Sequence, residues 1–125
     1  MILDTNALFA VAEGEAGAKR QLSRANQIAI PVIVLGEYRF GIAQSRHRLE
    51  YERWLEELVT VCHVLDVNEE TAIGYAWIRG RLKEAGTPIP SNDAWIAALC
   101  RQHNLPILSR DRHFDLIREV RRLAW

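Results

Sequence analysis

Two apolar runs in this chain are too short for helices, and each stops on a polar break that carries an acid. Met1–Leu3 ends at Asp4-Thr5-Asn6, and Leu105–Leu108 ends at Ser109-Arg110-Asp111. A third run, Ile28–Ile30, is stopped by Pro31. A run that is apolar at every consecutive position has no side to show to water. Such runs read as strands of a parallel sheet covered on both faces.

The segments between them read as helices. Ala7 to Ala25 is helical in two pieces, interrupted near Gly14–Gly17. Pro31 suits the first turn of a helix, whose buried face is then marked by Leu35, Tyr38 and Ile42. His47 to Val59 is the clearest amphipathic helix, with Tyr51, Trp54, Leu55, Leu58 and Val59 at i, i+3, i+4, i+7 and i+8. Val61–Val67 reads as a strand. Glu69–Ala85 reads as a helix ended by Gly86 and Pro88. Ser91 or Asn92 can cap a helix that runs to His103, and Val120–Trp125 supplies a last strand. The alternation predicts an α/β fold: a central, mainly parallel sheet of four to five strands with helices on both faces.

A length of 125 residues suits one domain, residues 1–125. The 49% hydrophobic and 26% charged composition excludes disorder, collagen and coiled coil. No apolar run approaches the ~18 residues of a membrane span. The first residues lack a basic start and a long apolar stretch, so a cytoplasmic protein is expected. Cys62 and Cys100 form no CxxC pair and are expected as reduced core thiols.

The charge balance is zero, but the acids are not evenly used. Aspartate occurs only five times, at Asp4, Asp66, Asp93, Asp111 and Asp115. Asp4 and Asp111 follow strands, Asp93 lies in the first turn of a helix, and Glu37 lies one and a half turns into another. Ligands of open α/β sheets bind beyond the carboxyl ends of the strands, where these residues fall. Each alone has an ordinary explanation: a turn former for Asp4 and Asp111, a helix N-terminal charge for Asp93. Glu37 fits such an explanation least, because the residues opening its helix, Val32-Ile33-Val34-Leu35, are apolar.

Gathered carboxylates repel, and cations relieve the repulsion. An all-oxygen donor set suits a hard ion such as Mg²⁺; Zn²⁺ would call for Cys or His. Two such ions ~4 Å apart can activate water and stabilise the leaving oxygen of a phosphodiester.

Four segments carry a family resemblance. Met1-Ile2-Leu3-Asp4-Thr5-Asn6 resembles the opening of a PIN-domain nuclease. Val34-Leu35-Gly36-Glu37-Tyr38-Arg39-Phe40-Gly41-Ile42 resembles the second motif of VapC-type toxins in that family. Asn92-Asp93-Ala94-Trp95-Ile96-Ala97-Ala98 resembles the third, and Leu108-Ser109-Arg110-Asp111-Arg112-His113-Phe114 the fourth. The four stand in order across almost the whole chain. The resemblance implies a PIN-like three-layer α/β/α sandwich with Mg²⁺- or Mn²⁺-dependent endoribonuclease activity, one or two ions per site. It implies a toxin of a type II toxin–antitoxin pair, with RNA as substrate, a VapB-type antitoxin as partner, and a homodimer. Carried over by position, Asp4, Glu37, Asp93 and Asp111 form the catalytic, metal-binding quartet. Asn6 and Ser109 are supporting polar residues, and Asp115 is a further acid beside the metals.

Other residues were weighed for binding. Of the 16 basic residues 14 are arginine, whose forks match phosphate geometry. Arg46, Arg48 and Arg53 form one cluster and Arg79, Arg81 and Lys83 another; Arg46, Arg48, Arg79 and Arg81 are the candidate RNA contacts. The competing reading is solvated helix faces paired with Glu50, Glu56 or Glu84. His47, His63, His103 and His113 read as scattered surface or structural residues outside the acid set. Tyr51 and Trp54 are expected to pack helices or a partner chain, on an apolar ridge between the 47–59 and 69–85 helices.

Two rivals are separable. A haloacid-dehalogenase-like phosphatase also places Asp after the first strand, but needs a second Asp two residues on, where this chain has Asn6. A non-catalytic PIN-like binding module would have no use for an intact quartet.

Overall fold

The computed structural model describes residues 1–125. In chain order the elements are β1 (Ile2–Leu3), α1 (Thr5–Ala12), α2 (Ala16–Arg24), β2 (Ala29–Pro31), α3 (Val32–Ile42), α4 (Arg48–Val59), β3 (His63–Leu65), α5 (Glu69–Glu84), α6 (Ser91–His103), β4 (Ile107–Leu108) and β5 (Arg122–Leu123). A 3₁₀ turn spans Arg112–Leu116 between β4 and β5. The five strands run parallel in the order β3-β2-β1-β4-β5. The expected α/β/α sandwich is therefore the architecture found.

β1 lies at the centre because it has nothing polar to offer water. Ile2 and Leu3 are fully buried, as are Ile30, Ile107 and Leu108 on the flanking strands. Register is set by Ile2 opposite Ala29 on one side, and by Ile2 and Leu3 opposite Ile107 and Leu108 on the other. Because all strands are parallel, their carboxyl ends lie along one edge of the sheet. Asp4 sits on that edge, its backbone N–H donating to Leu108 O at 3.1 Å.

Helix boundaries follow local chemistry. Asp4 is the N-cap of α1, its carboxylate accepting from the Thr5 N–H. Gly86 at φ 73° ends α5. Asn104 at φ 51° ends α6. Three boundaries differ from expectation. Neither Ser91 nor Asn92 caps α6: Pro90 holds that position, and Ser91 Oγ instead lies 3.0 Å from the Tyr75 hydroxyl. The Val61–Val67 strand shrinks to His63–Leu65, since β3 is an edge strand with His63 and Val64 exposed. Val120–Trp125 likewise pairs only at Arg122–Leu123.

Tyr51 and Trp54 pack inward. Their rings lie 6.5 and 6.2 Å from the ring of Tyr38 on α3, which is itself 4.7 Å from Phe9 on α1. The apolar ridge expected between the 47–59 and 69–85 helices is thus an internal contact of α1, α3 and α4. The contact depends on Gly41, where a Cβ would stand 2.9 Å from Phe9 Cζ. The large apolar side chains left exposed lie elsewhere, among them Val32 and Phe40 on α3 and Ile73 and Trp77 on α5. Cys100 is buried, as expected of a core thiol, whereas Cys62 is only half-buried; neither is bonded to another cysteine. No helix is long and apolar enough to cross a membrane.

Candidate active site

The four expected acids meet at the carboxyl edge of the sheet, each delivered by a different segment. Asp4 comes from the end of β1, Glu37 from α3, Asp93 from the first turn of α6, and Asp111 from the loop after β4. One hydrogen-bond network joins them. Thr5 donates its backbone N–H to Asp4 Oδ1 at 2.8 Å and its hydroxyl to Glu37 Oε1 at 3.0 Å. Ser109 Oγ donates to Asp4 Oδ2 at 2.6 Å and accepts from the Asp111 N–H at 2.9 Å. His113 closes the network, with Nδ1 2.9 Å from Asp93 Oδ2 and 3.0 Å from Asp111 Oδ1.

The supporting polar residues are both bonded into this network. Asn6 Nδ2 donates to Asp4 Oδ2 and to Ser109 Oγ, both at 3.2 Å, and Asn6 Oδ1 accepts from the Arg110 N–H at 3.1 Å. Ser109 thus uses one donor and two lone pairs, the full complement of a hydroxyl. It is completely buried, so a missing partner there would go unreplaced by water. Both residues hydrogen-bond to Asp4 Oδ2.

Electrostatics favour a counter-charge. Burial raises Asp4 above the usual carboxylate range, and repulsion from Glu37 and Asp111 adds to it, while bonds from Ser109 and Thr5 oppose. Burial likewise pushes Asp93 up to about 6, with Asp111 and Asp4 repelling and His113 opposing. Burial leads in both, and the neighbouring acids add to it.

His113 corrects the expectation that no histidine joins the acids. Sequence alone hid it, because its neighbours Arg112 and Phe114 carry no periodic signal. The 3₁₀ turn brings it round: Asp111 caps that turn by accepting the His113 N–H at 2.9 Å, which swings the ring towards Asp93. The contact with Asp93 raises the imidazole above its usual range, aided by Asp111.

Asp115 is held by a different partner. Both its oxygens accept from Arg122, each at 2.9 Å, outside the carboxylate network. Arg122 also donates to the Ser109 carbonyl at 3.0 Å. Asp115 therefore braces β5 against the loop that carries Ser109 and Asp111.

The candidate RNA-binding arginines separate. Arg81 is engaged with Glu119 at 2.6 Å and lies over the Trp77 ring. Arg79 donates to the Tyr75 hydroxyl at 2.6 Å, beside Ser91 at the start of α6 and two residues from Asp93. Arg46 and Arg48 are exposed beyond the C-terminal end of α3. Of the four, Arg79, on α5, is linked through the Tyr75 hydroxyl to the start of α6, the helix that carries Asp93. A cavity of about 550 Å³ opens beside Glu37, lined by Thr5, Ile33, Gly36, Glu37, Phe40 and Asn92.

The sequence matches the PIN domain over residues 1–120. The chain belongs to the PIN-domain family. Ribonuclease VapC5 of Mycobacterium tuberculosis is 31% identical to this PIN domain over 119 residues, covering 90% of this chain and 84% of that protein. The fold matches VapBC2 from Rickettsia felis bound to a promoter DNA fragment, with a TM-score of 0.88, 23% identity, and 99% and 97% of the two chains covered. It also matches DNA-bound VapBC from Salmonella typhimurium, with a TM-score of 0.85, 27% identity, and 99% and 96% covered. The segments that supply Asp4, Glu37, Asp93 and Asp111 all lie within the matched PIN domain.

Proposed function

We propose that this PIN domain is a Mg²⁺- or Mn²⁺-dependent endoribonuclease acting as the toxin of a VapBC-type toxin–antitoxin pair. The observation that carries the reading is the single network that holds Asp4, Glu37, Asp93 and Asp111 at the carboxyl edge of the sheet. A scaffold that only bound protein would gain nothing from carboxylates pressed together against their own repulsion.

The residues fit a hard divalent ion. Their donors are carboxylate oxygens, and two of them, Asp4 and Asp93, are raised by burial and further by the neighbouring acids. Asp4, Glu37, Asp93 and Asp111 would hold one or two ions. When bound, such an ion supplies Lewis acidity to water and offsets charge on the phosphodiester oxygens. The chain does the rest by position. Ser109, Asn6 and Thr5 fix the Asp4 oxygens, and Thr5 holds Glu37 facing them. Arg79, linked through Tyr75 to Ser91 at the start of α6, supplies a positive charge for the backbone of the incoming strand, and unpaired RNA reaches an acidic pocket more readily than a duplex.

Partners follow in the same reading. The solved relatives are VapBC complexes, which supports a VapB-type antitoxin here. Phe40, 85% exposed beside Glu37, and Val32 on the same helix give a homodimer an apolar surface to bury. Zero net charge and the lack of a membrane-crossing helix agree with action in the cytoplasm.

Purified protein is expected to cut total cellular RNA into discrete fragments with Mg²⁺ or Mn²⁺. EDTA or Asp4→Asn should abolish the cutting. Intact RNA after incubation with folded, metal-loaded, antitoxin-free protein overturns the proposal.

A further inference from the structure

His113 does more than close the network. Its Nδ1, Asp93 Oδ2 and Asp111 Oδ1 form a compact triangle. Two sides are 2.9 and 3.0 Å, and ligand atoms, one from each residue, lie within 4.8 Å of one another. An octahedral ion with ligands at about 2.1 Å separates adjacent ligand atoms by about 3 Å. The two edges that meet at the nitrogen therefore have the spacing of adjacent octahedral ligands.

The surroundings hold that corner in place. The His113 backbone N–H is tied to Asp111 Oδ1, so ring and carboxylate move as one unit. Phe114, the next residue, is completely buried and anchors the turn in the core. The His113 side chain is 44% exposed, so water and ions reach it without any opening of the fold.

We infer that His113 Nδ1 is a direct metal ligand, making with Asp93 and Asp111 a mixed nitrogen–oxygen site that takes Mn²⁺ in preference to Mg²⁺. The inference rests on the metal-dependent reading above and assigns a ligand that the four acids do not include. The chemistry behind it is donor softness. Carboxylates serve Mg²⁺ and Mn²⁺ alike, whereas an imidazole favours transition ions over Mg²⁺. The nitrogen sits at the Asp93–Asp111 side of the site; Asp4 and Glu37, joined through Thr5, offer only oxygen.

The test is Mn²⁺ electron paramagnetic resonance on the full chain. Free Mn²⁺ is counted from its six-line signal, and bound Mn²⁺ is then probed for nitrogen by electron spin-echo modulation. Wild type should show ¹⁴N modulation of histidine type. His113→Ala and His113→Asn should lose it while keeping the wild-type circular dichroism. Loss of an outer-sphere partner already costs on the order of 10–100-fold in metal affinity, so each variant should bind Mn²⁺ at least ~10-fold more weakly. Mg²⁺, followed by its competition with Mn²⁺, should weaken less. Bound Mn²⁺ without nitrogen modulation in wild type overturns the ligand assignment and leaves the carboxylate site standing. Modulation that survives in both variants overturns it as well. No bound Mn²⁺ at all overturns both this assignment and the metal-dependent reading beneath it.

Discussion

Ser109 Oγ donates to Asp4 Oδ2 at 2.6 Å, joining two buried residues 105 positions apart. The bond ties β4 to β1 at the edge where the acids gather. Ser109→Ala leaves Asp4 short of a donor, with Asn6 and Asp111 facing a methyl group. Bonds to charged groups contribute about 1.5–3 kcal/mol. Urea unfolding should show a loss of that order, with RNA cleavage reduced. Wild-type stability in the variant would mean that the bond is not formed in solution.

Removing the charge of Glu37 should separate stability from activity. Glu37→Gln keeps an acceptor for the Thr5 hydroxyl but removes one repelling carboxylate near Asp4. Metal-free melting should stay level or rise, and cleavage should stop. Full activity in this variant would take Glu37 out of the site.

Stability of the metal-free protein should fall as pH rises through the range where Asp93 ionises. Asp93 moves from 3.8 to about 6 on folding, mainly through burial. A group raised in the folded state contributes stability that is full below its unfolded value and is lost as pH climbs through its folded value. His113, raised chiefly by its bond to Asp93, acts in the same sense. Asp93→Asn cannot ionise and serves as the reference. Its melting temperature relative to wild type should climb from about pH 4 to about pH 7. A constant difference across that window would show that Asp93 is not raised.

Arg79 should act on RNA through charge. Arg79→Ala should weaken binding of unrelated single-stranded RNAs to a similar degree. It should also reduce the slope of log affinity against log salt by about 0.7. The measurement is fluorescence anisotropy with the cleavage-inactive Glu37→Gln background, at several salt concentrations. An unchanged slope would assign Arg79 to its bond with Tyr75 alone.

Much of this site could be read in the sequence because its acids directly follow apolar strands or open helices. Met1–Leu3 can only be buried, so Asp4 had to emerge at a sheet edge. The quartet needed no long-range information beyond strand order. His113 and Asp115 did. Each takes its partner through the 3₁₀ turn at Arg112–Leu116, a local geometry with no hydrophobic period to announce it. Asp115 pairs with Arg122 on β5, and nothing in the spacing of those residues marks them as neighbours. The shortened β3 was hidden for a different reason: a run of β-formers extends as far as composition allows, whereas pairing stops where an edge strand meets water.

The parallel pairing of β1 with β4 sets when this chain can become active. β1 finds one of its two neighbours only when Ile107 and Leu108, far later in the chain, have been made. Ser109 and Asp111, which complete the network around Asp4, follow immediately after. A ribosome that stalls or is cut short anywhere earlier carries a chain with no assembled carboxylate cluster. A truncation anywhere before Ser109 therefore costs the cluster and one side of the central strand together.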